Sequence, residues 1–235
     1  MQKMTKKVKI IILITIIPII GFSQEDCFFF DNETNMAYNI ADSSLYTGTC
    51  FKEFWNGHKK SLCEYKKGII QLSKRWNRKG ILIDSTIYLN GYKRQKFFRF
   101  YRSGELKEVG TTYLSDEKVL GADFYDNEGL HIYYYKYGKK KREIEYYKDH
   151  NKHFAKVYYE NGNLMSTGLF ISNSKDSKGF GVYRPDSVHN KYRENGTIKT
   201  KITFSNGKQH GPTIYFNEDG TIEKKEEYKE GIKIQ

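Results

Sequence analysis

Six times along this chain a glycine is followed eight residues later by an aromatic: Gly57/Tyr65, Gly80/Tyr88, Gly129/Tyr137, Gly162/Phe170, Gly196/Phe204 and Gly220/Tyr228. Gly104/Tyr113 repeats the unit with one residue added, as a bulge would. A further aromatic stands three or four residues before each glycine (Phe54, Trp76, Tyr101, Tyr125, Tyr159, Tyr192, Phe216). A second glycine follows three residues after the later aromatic at Gly68, Gly91, Gly207 and Gly231. Periodicity of this kind constrains a fold more than any isolated motif, because each unit must bury its apolar face against its neighbours.

One unit reads as a β-hairpin. Asn-Gly occurs at 56–57, 90–91, 161–162, 195–196 and 206–207, a pair that tolerates the positive φ of two-residue hairpin turns. An interval of eight is even, so the aromatic shares a sheet face with the residue two after the glycine. That residue is Leu82, Leu106, Leu164, Ile198 or Ile222 in five units. Residues 221–230 (TIEKKEEYKE) favour helix by local propensity, but the phase of the repeat places Ile222 and Tyr228 on one strand face. The intervals between successive leading glycines run 23, 24, 25, 33, 34 and 24, and the two long ones put insertions near 139–153 and 172–190. The expected fold is all-β, one elongated array of about seven antiparallel hairpins over residues 46–235, preceded by a lead-in at 24–45.

Residues 1–23 read as a signal peptide: a basic head, an apolar run at 10–20 too short for a membrane span, and the small residues Gly21 and Ser23 before the cut. The expectation is export, to the periplasm, the outer-membrane surface or the medium, with no transmembrane helix after cleavage. The formal charge of +12 falls to +8 when the four lysines of the signal are removed. Acids and bases interleave in what remains, which suits a solvated surface and argues against nucleic acid as a partner. An exported chain can form disulfides. Cys50 and Cys63 are symmetric about Asn56-Gly57 and would face each other across a hairpin, either bonded or packed as small hydrophobes, with Cys27 left free.

No nucleophile elbow, P-loop, dinucleotide glycine pattern, Cys-x-x-Cys or His-Glu-x-x-His is present. His150 and His153 with Asp149 make the one local cluster, better read as a solvated loop than as a metal or catalytic site. Asp126, Glu128 and Asp219 stand beside glycines as turn formers. The chain is therefore expected to have no catalytic residues, metal or cofactor, and not to be an enzyme.

GKQHGPTIYFNEDGTIEKKEEYKEG, together with Leu45-Tyr46-Thr47-Gly48, resembles the bacterial MORN-variant repeat, found in proteins often labelled YwqK-like antitoxins. The likeness covers about residues 45–235 and is strongest at 192–235. It implies a row of antiparallel hairpins with glycine at the turns and aromatics stacked along one face, and it implies no catalytic residues. The function expected is binding of a protein partner through an extended β surface, and the family label implies an antitoxin or immunity role as one form of it. Attachment to an acidic envelope surface, lipid or polysaccharide, through the basic run KKKR at 139–142 is the alternative. Repeat-phase aromatics read as core, whereas Tyr133, Tyr134, Tyr135, Tyr146 and Tyr147 cluster off phase and are the candidates for the binding surface.

Overall fold

The computed structural model describes residues 27–119, 122–147, 151–175 and 181–235. A small antiparallel pair, β1 (Phe29–Asp31) and β2 (Met36–Tyr38), comes first. Fifteen further strands form one sheet in strict sequence order, each antiparallel to the next. They are β3 (Gly48–Glu53), β4 (Lys59–Lys66), β5 (Ile69–Trp76), β6 (Leu82–Tyr88) and β7 (Arg94–Phe100). Then come β8 (Leu106–Val119), β9 (Ala122–Tyr134), β10 (Lys140–Tyr146), β11 (Lys152–Tyr158) and β12 (Leu164–Lys175). The sheet ends with β13 (Gly181–Tyr192), β14 (Ile198–Ser205), β15 (Lys208–Phe216), β16 (Ile222–Lys229) and β17 (Ile232–Lys233). The expected all-β hairpin array is what the chain builds, and the Glu/Lys-rich 221–230 segment is strand β16.

Because the strands meander, their turns alternate between two edges of the sheet. One edge carries seven turns of a single design, centred on Gly57, Gly80, Gly104, Gly138, Gly162, Gly196 and Gly220. In each, the glycine N–H donates to the carbonyl three residues earlier, and that residue's N–H donates to the carbonyl just after the glycine. The seven glycines have φ between +76° and +106°. This is a type I turn closed by a glycine bulge, and only glycine adopts that backbone without strain. Asn-Gly at 56–57, 161–162 and 195–196 therefore does not form the two-residue turn expected of it. At 90–91 the pair lies in a longer turn, closed by Leu89 N–H to Arg94 O. Asn206-Gly207 does form a two-residue turn, with both φ positive, on the opposite edge.

The seven turns correct the phase of the repeat. Gly129 lies inside β9 and is not a turn glycine; the turn belongs to Gly138. With that change the intervals become 23, 24, 34, 24, 34 and 24. Tyr137 then falls at a turn tip, 89% exposed, and Tyr146 takes its place eight residues after the glycine. Of the expected insertion at 139–153, residues 140–146 are strand β10 and residues 152–153 begin strand β11, while 148–150 lie outside the described residues. The extra length sits in two long hairpins, β8–β9 and β12–β13, and the segment 172–190 belongs to the second as strand on both sides of 176–180. Asp126 and Glu128 lie on β9, where they bind Tyr113 and Arg94; Asp219 does shape its turn, accepting from the Thr221 N–H.

The cysteines also differ from expectation. Cys50 lies directly across from Cys63, but its disulfide is to Cys27, and Cys63 is free. The lead-in folds back over the end of the array: Ala37 N–H donates to Gly68 O, and Tyr46 N–H to Ala37 O. Phe28 inserts between Tyr46 and Tyr65 at ring distances of 5.4 and 4.6 Å, which delivers Cys27 to Cys50. A repeat array needs its first unit capped, and this segment is the cap.

Candidate functional site

A single-layer sheet has no second layer to bury its apolar face, so side chains must pack along the sheet. On one face they form a continuous ladder of rings, Phe97–His131–Tyr146–His153–Phe170–His189–Phe204, with successive centroids 4.9–5.5 Å apart. Three of the seven rings are histidines. Burial pushes the His153 pKa down to about 4, with the Arg142 charge adding to the effect, and burial also lowers that of His131. Both rings are buried and their Nδ1 atoms find no hydrogen-bond partner among the described residues. Desolvation also pushes the Tyr146 phenol up to about 12.

Two glycines make room for two of the histidines. The His131 ring covers Gly110 and donates from Nε2 to Thr111 O at 2.7 Å; the His189 ring covers Gly168 and donates to Leu169 O at 2.7 Å. A Cβ on Gly110 would lie 2.6 Å from the His131 ring, and one on Gly168 closer still to the His189 ring. In both hairpins a bulge with positive φ two residues before the histidine (Gly129, φ 63°; Ser187, φ 62°) sets three residues opposite the glycine.

The turn edge is tied by side chains that reach one unit forward. Tyr101, Tyr135 and Tyr159 hydroxyls donate to the carbonyls of Tyr134, Tyr158 and Tyr192 at 2.7–2.8 Å, and Arg193 takes the same role toward Phe216 O. The asparagines of the turns add Asn56 to Arg78 O and Asn161 to Glu194 O, both at 2.9 Å.

The face opposite the ring ladder is more open. Ile87, Leu130 and Val188 there are 39, 48 and 45% exposed. A shallow open recess of about 420 Å³ is lined by Leu130, Glu143, Glu145, Tyr147, Phe154 and Lys156. Tyr158 donates to Glu143 at its rim, and burial with that carboxylate pushes the Tyr158 phenol up to about 12.

The five tyrosines expected to form one binding surface are dispersed. Tyr133 and Tyr146 belong to the ladder face, the former under the Arg142 guanidinium at 4.3 Å. Tyr135 serves the turn edge, Tyr134 ends β9 half-buried, and Tyr147 alone lines the recess. Strand alternation separates them, since neighbours in sequence point to opposite faces. Among the repeat aromatics Phe170 and Phe204 are in the ladder and Tyr65 is buried under the cap. Tyr88 is half-buried, while Tyr113 and Tyr228 bind Asp126 and Glu226. The basic run is spent within the chain: Lys139 on Asn161 O, Lys140 on Glu143, Lys141 over Tyr135 and Arg142 over Tyr133. His150 and Asp149, like residues 1–23, lie outside the described residues.

The histidine–glycine pairs went unread in the sequence, although a signal was there. Gly104/Gly162, Gly110/Gly168, His131/His189 and Gly138/Gly196 all share one separation along the chain, a higher-order repeat of one short and one long unit. The structure obeys it closely: the bond from Leu114 N–H to Lys93 O recurs one such period on as Ser172 N–H to Asn151 O, and both measure 2.6 Å.

Among known families, the MORN repeat variant matches at residues 155–172 and 209–230, which are β11–β12 and β15–β16 with their turns. No curated protein matches the chain. No helix among the described residues is long and apolar enough to cross a membrane.

Proposed function

We propose that this MORN-type repeat chain is an exported, non-enzymatic binding module that holds a protein partner against the sheet face opposite the ring ladder. The observation that carries the reading is the uneven use of the two faces. One is closed by the stacked rings, while the other leaves Ile87, Leu130 and Val188 exposed and holds an open recess that Leu130 helps to line. A long, shallow surface with scattered apolar anchors and a charged rim suits a protein better than a small molecule. Export draws support from the basic–apolar–small pattern of residues 1–23 and from the Cys27–Cys50 bond, which persists only in an oxidising compartment. The non-enzymatic reading rests on where the described histidines of the ladder stand: stacked on rings, two of them bonded to backbone carbonyls. An antitoxin or immunity role is the finer form of the proposal, motivated by the family resemblance and suited to protection outside the cytoplasm.

The test is affinity capture from envelope extract of the source organism, comparing the wild-type chain with Leu130→Glu/Phe154→Glu. A protein enriched near one-to-one, retained in high salt and lost with the variant supports the reading. Capture that is equal for both chains overturns the assignment of the face. Capture of only lipid or glycan, released by salt, overturns the protein partner and favours surface attachment.

A further inference from the structure

The residues at the tips of the seven glycine-bulge turns are segregated by charge. Two positions before the glycine stand Trp55, then Arg78, Arg102 and Lys136, then Glu160, Glu194 and Glu218. The six charged ones are all exposed, and none forms an ion pair with another described residue. Their backbones are held by the forward ties of the edge, so the tips are presented in a fixed row. Turns on one edge recur every two strands, roughly 9–10 Å apart. At that spacing like charges repel slightly, and an alternating order would be better for an isolated chain. Within the lone array Lys136 acts on Glu105 of the neighbouring turn, but the runs of like charge at the tips are less favourable than an alternating order would be.

We infer that this edge pairs with the same edge of a second copy, the two arrays antiparallel about a two-fold axis between the Lys136 and Glu160 turns. That rotation sets Lys136 against Glu160 of the other copy, Arg102 against Glu194 and Arg78 against Glu218. The symmetry makes each pair twice. Parallel pairing in register would instead put like charges together. Exposed ion pairs are individually weak, so the association depends on several at once and is sensitive to salt. Sheet twist carries the outer turns away from the axis, so the central Lys136–Glu160 pairs contribute most. The turn edge is separate from the sheet face assigned to the partner above, and the two assignments stand or fall independently.

Sedimentation equilibrium of the full chain tests this. Wild type forms a dimer at low ionic strength that dissociates at about 0.5 M salt, where the screening length is only a few ångströms. Reversal of one half, in Arg102→Glu/Lys136→Glu or in Glu160→Arg/Glu194→Arg, weakens self-association at least tenfold. An equimolar mixture of the two variants restores a dimer. The fourfold exchange carrying all these substitutions dimerises like wild type, which also shows that charge reversal at the tips leaves the fold intact. A wild-type chain that stays monomeric at low salt and high concentration overturns the inference. So do half-reversed variants that dimerise as wild type does, or a fourfold exchange that folds but stays monomeric.

Discussion

The two long hairpins and the short ones solve the same packing problem in opposite ways. Six residues after the turn glycine, the other five units present Cys63, Thr86, Ile144, Ile202 and Glu226 to the ladder face. At that place the two long units carry Gly110 and Gly168, and a histidine from the next strand fills the space. A short unit packs with its own side chain, whereas a long one borrows from across the bulge. The lesson is that added length need not break a repeat array, provided the void it leaves is refilled at the same height.

The largest test of that contrast is to fill both voids covalently. Gly110→Ala with Gly168→Ala should destabilise by about 4 kcal/mol, since the overpacking costs add across four strands of separation. In the short unit the opposite change, Ile144→Ala, should also destabilise, by leaving a cavity. Urea unfolding measures both. If His189→Ala does not relieve the cost of Gly168→Ala, the histidine is not what the glycine accommodates.

Removing the cap separates the end of the array from its middle. Cys27→Ser should cost about 3 kcal/mol for a loop of this size. Because stability in such arrays is nearly a sum over neighbours, hydrogen exchange should rise in β3–β5 and leave the long hairpins unchanged.

Acid should act on the ladder. His153 is held neutral, its folded pKa near 4 and its unfolded value near 6.5, so the unfolded chain binds the extra proton between those limits. Stability is therefore full above about pH 6.5 and falls as pH drops, by about 2–3 kcal/mol at pH 4.5. The lowered pKa of His131 adds to the fall in the same direction. His153→Phe should flatten the pH profile of the melting temperature in that window, and an unchanged profile would mean that His153 is not held neutral.

The smallest effect concerns the edge ties. Tyr101→Phe and Tyr159→Phe each remove one hydroxyl-to-carbonyl bond, of 2.7 and 2.8 Å, and should each cost about 1 kcal/mol. The two tyrosines are related by the same higher-order period as the histidine–glycine pairs. Equal losses at both would show that the long units are energetically as well as geometrically equivalent.

Much of this molecule is local, and local features were legible. The even glycine-to-aromatic interval determined a hairpin unit, the all-β class and a linear array, because strand alternation and turn geometry are properties of a few consecutive residues. The same pattern marked Phe170 and Phe204 as packed aromatics. It also accepted Gly129/Tyr137, which satisfies the interval without being a turn, since a glycine with positive φ serves a bulge as well as a turn end. Only pairing with β8 and β10 distinguishes the two uses.

What the tertiary structure alone decided is non-local. Cys63 stands opposite Cys50 as the hairpin symmetry requires, yet Cys27 makes the bond, because the lead-in folds back and wedges Phe28 against Tyr65. The tyrosine cluster dissolved because residues adjacent in sequence belong to opposite faces and different edges. The histidines became a packing spine because two glycines one strand away leave them space, a relation between strands that no local propensity encodes. Sequence by itself determined the unit and its period; the register between units, set by contacts across strands, decided which side chains meet.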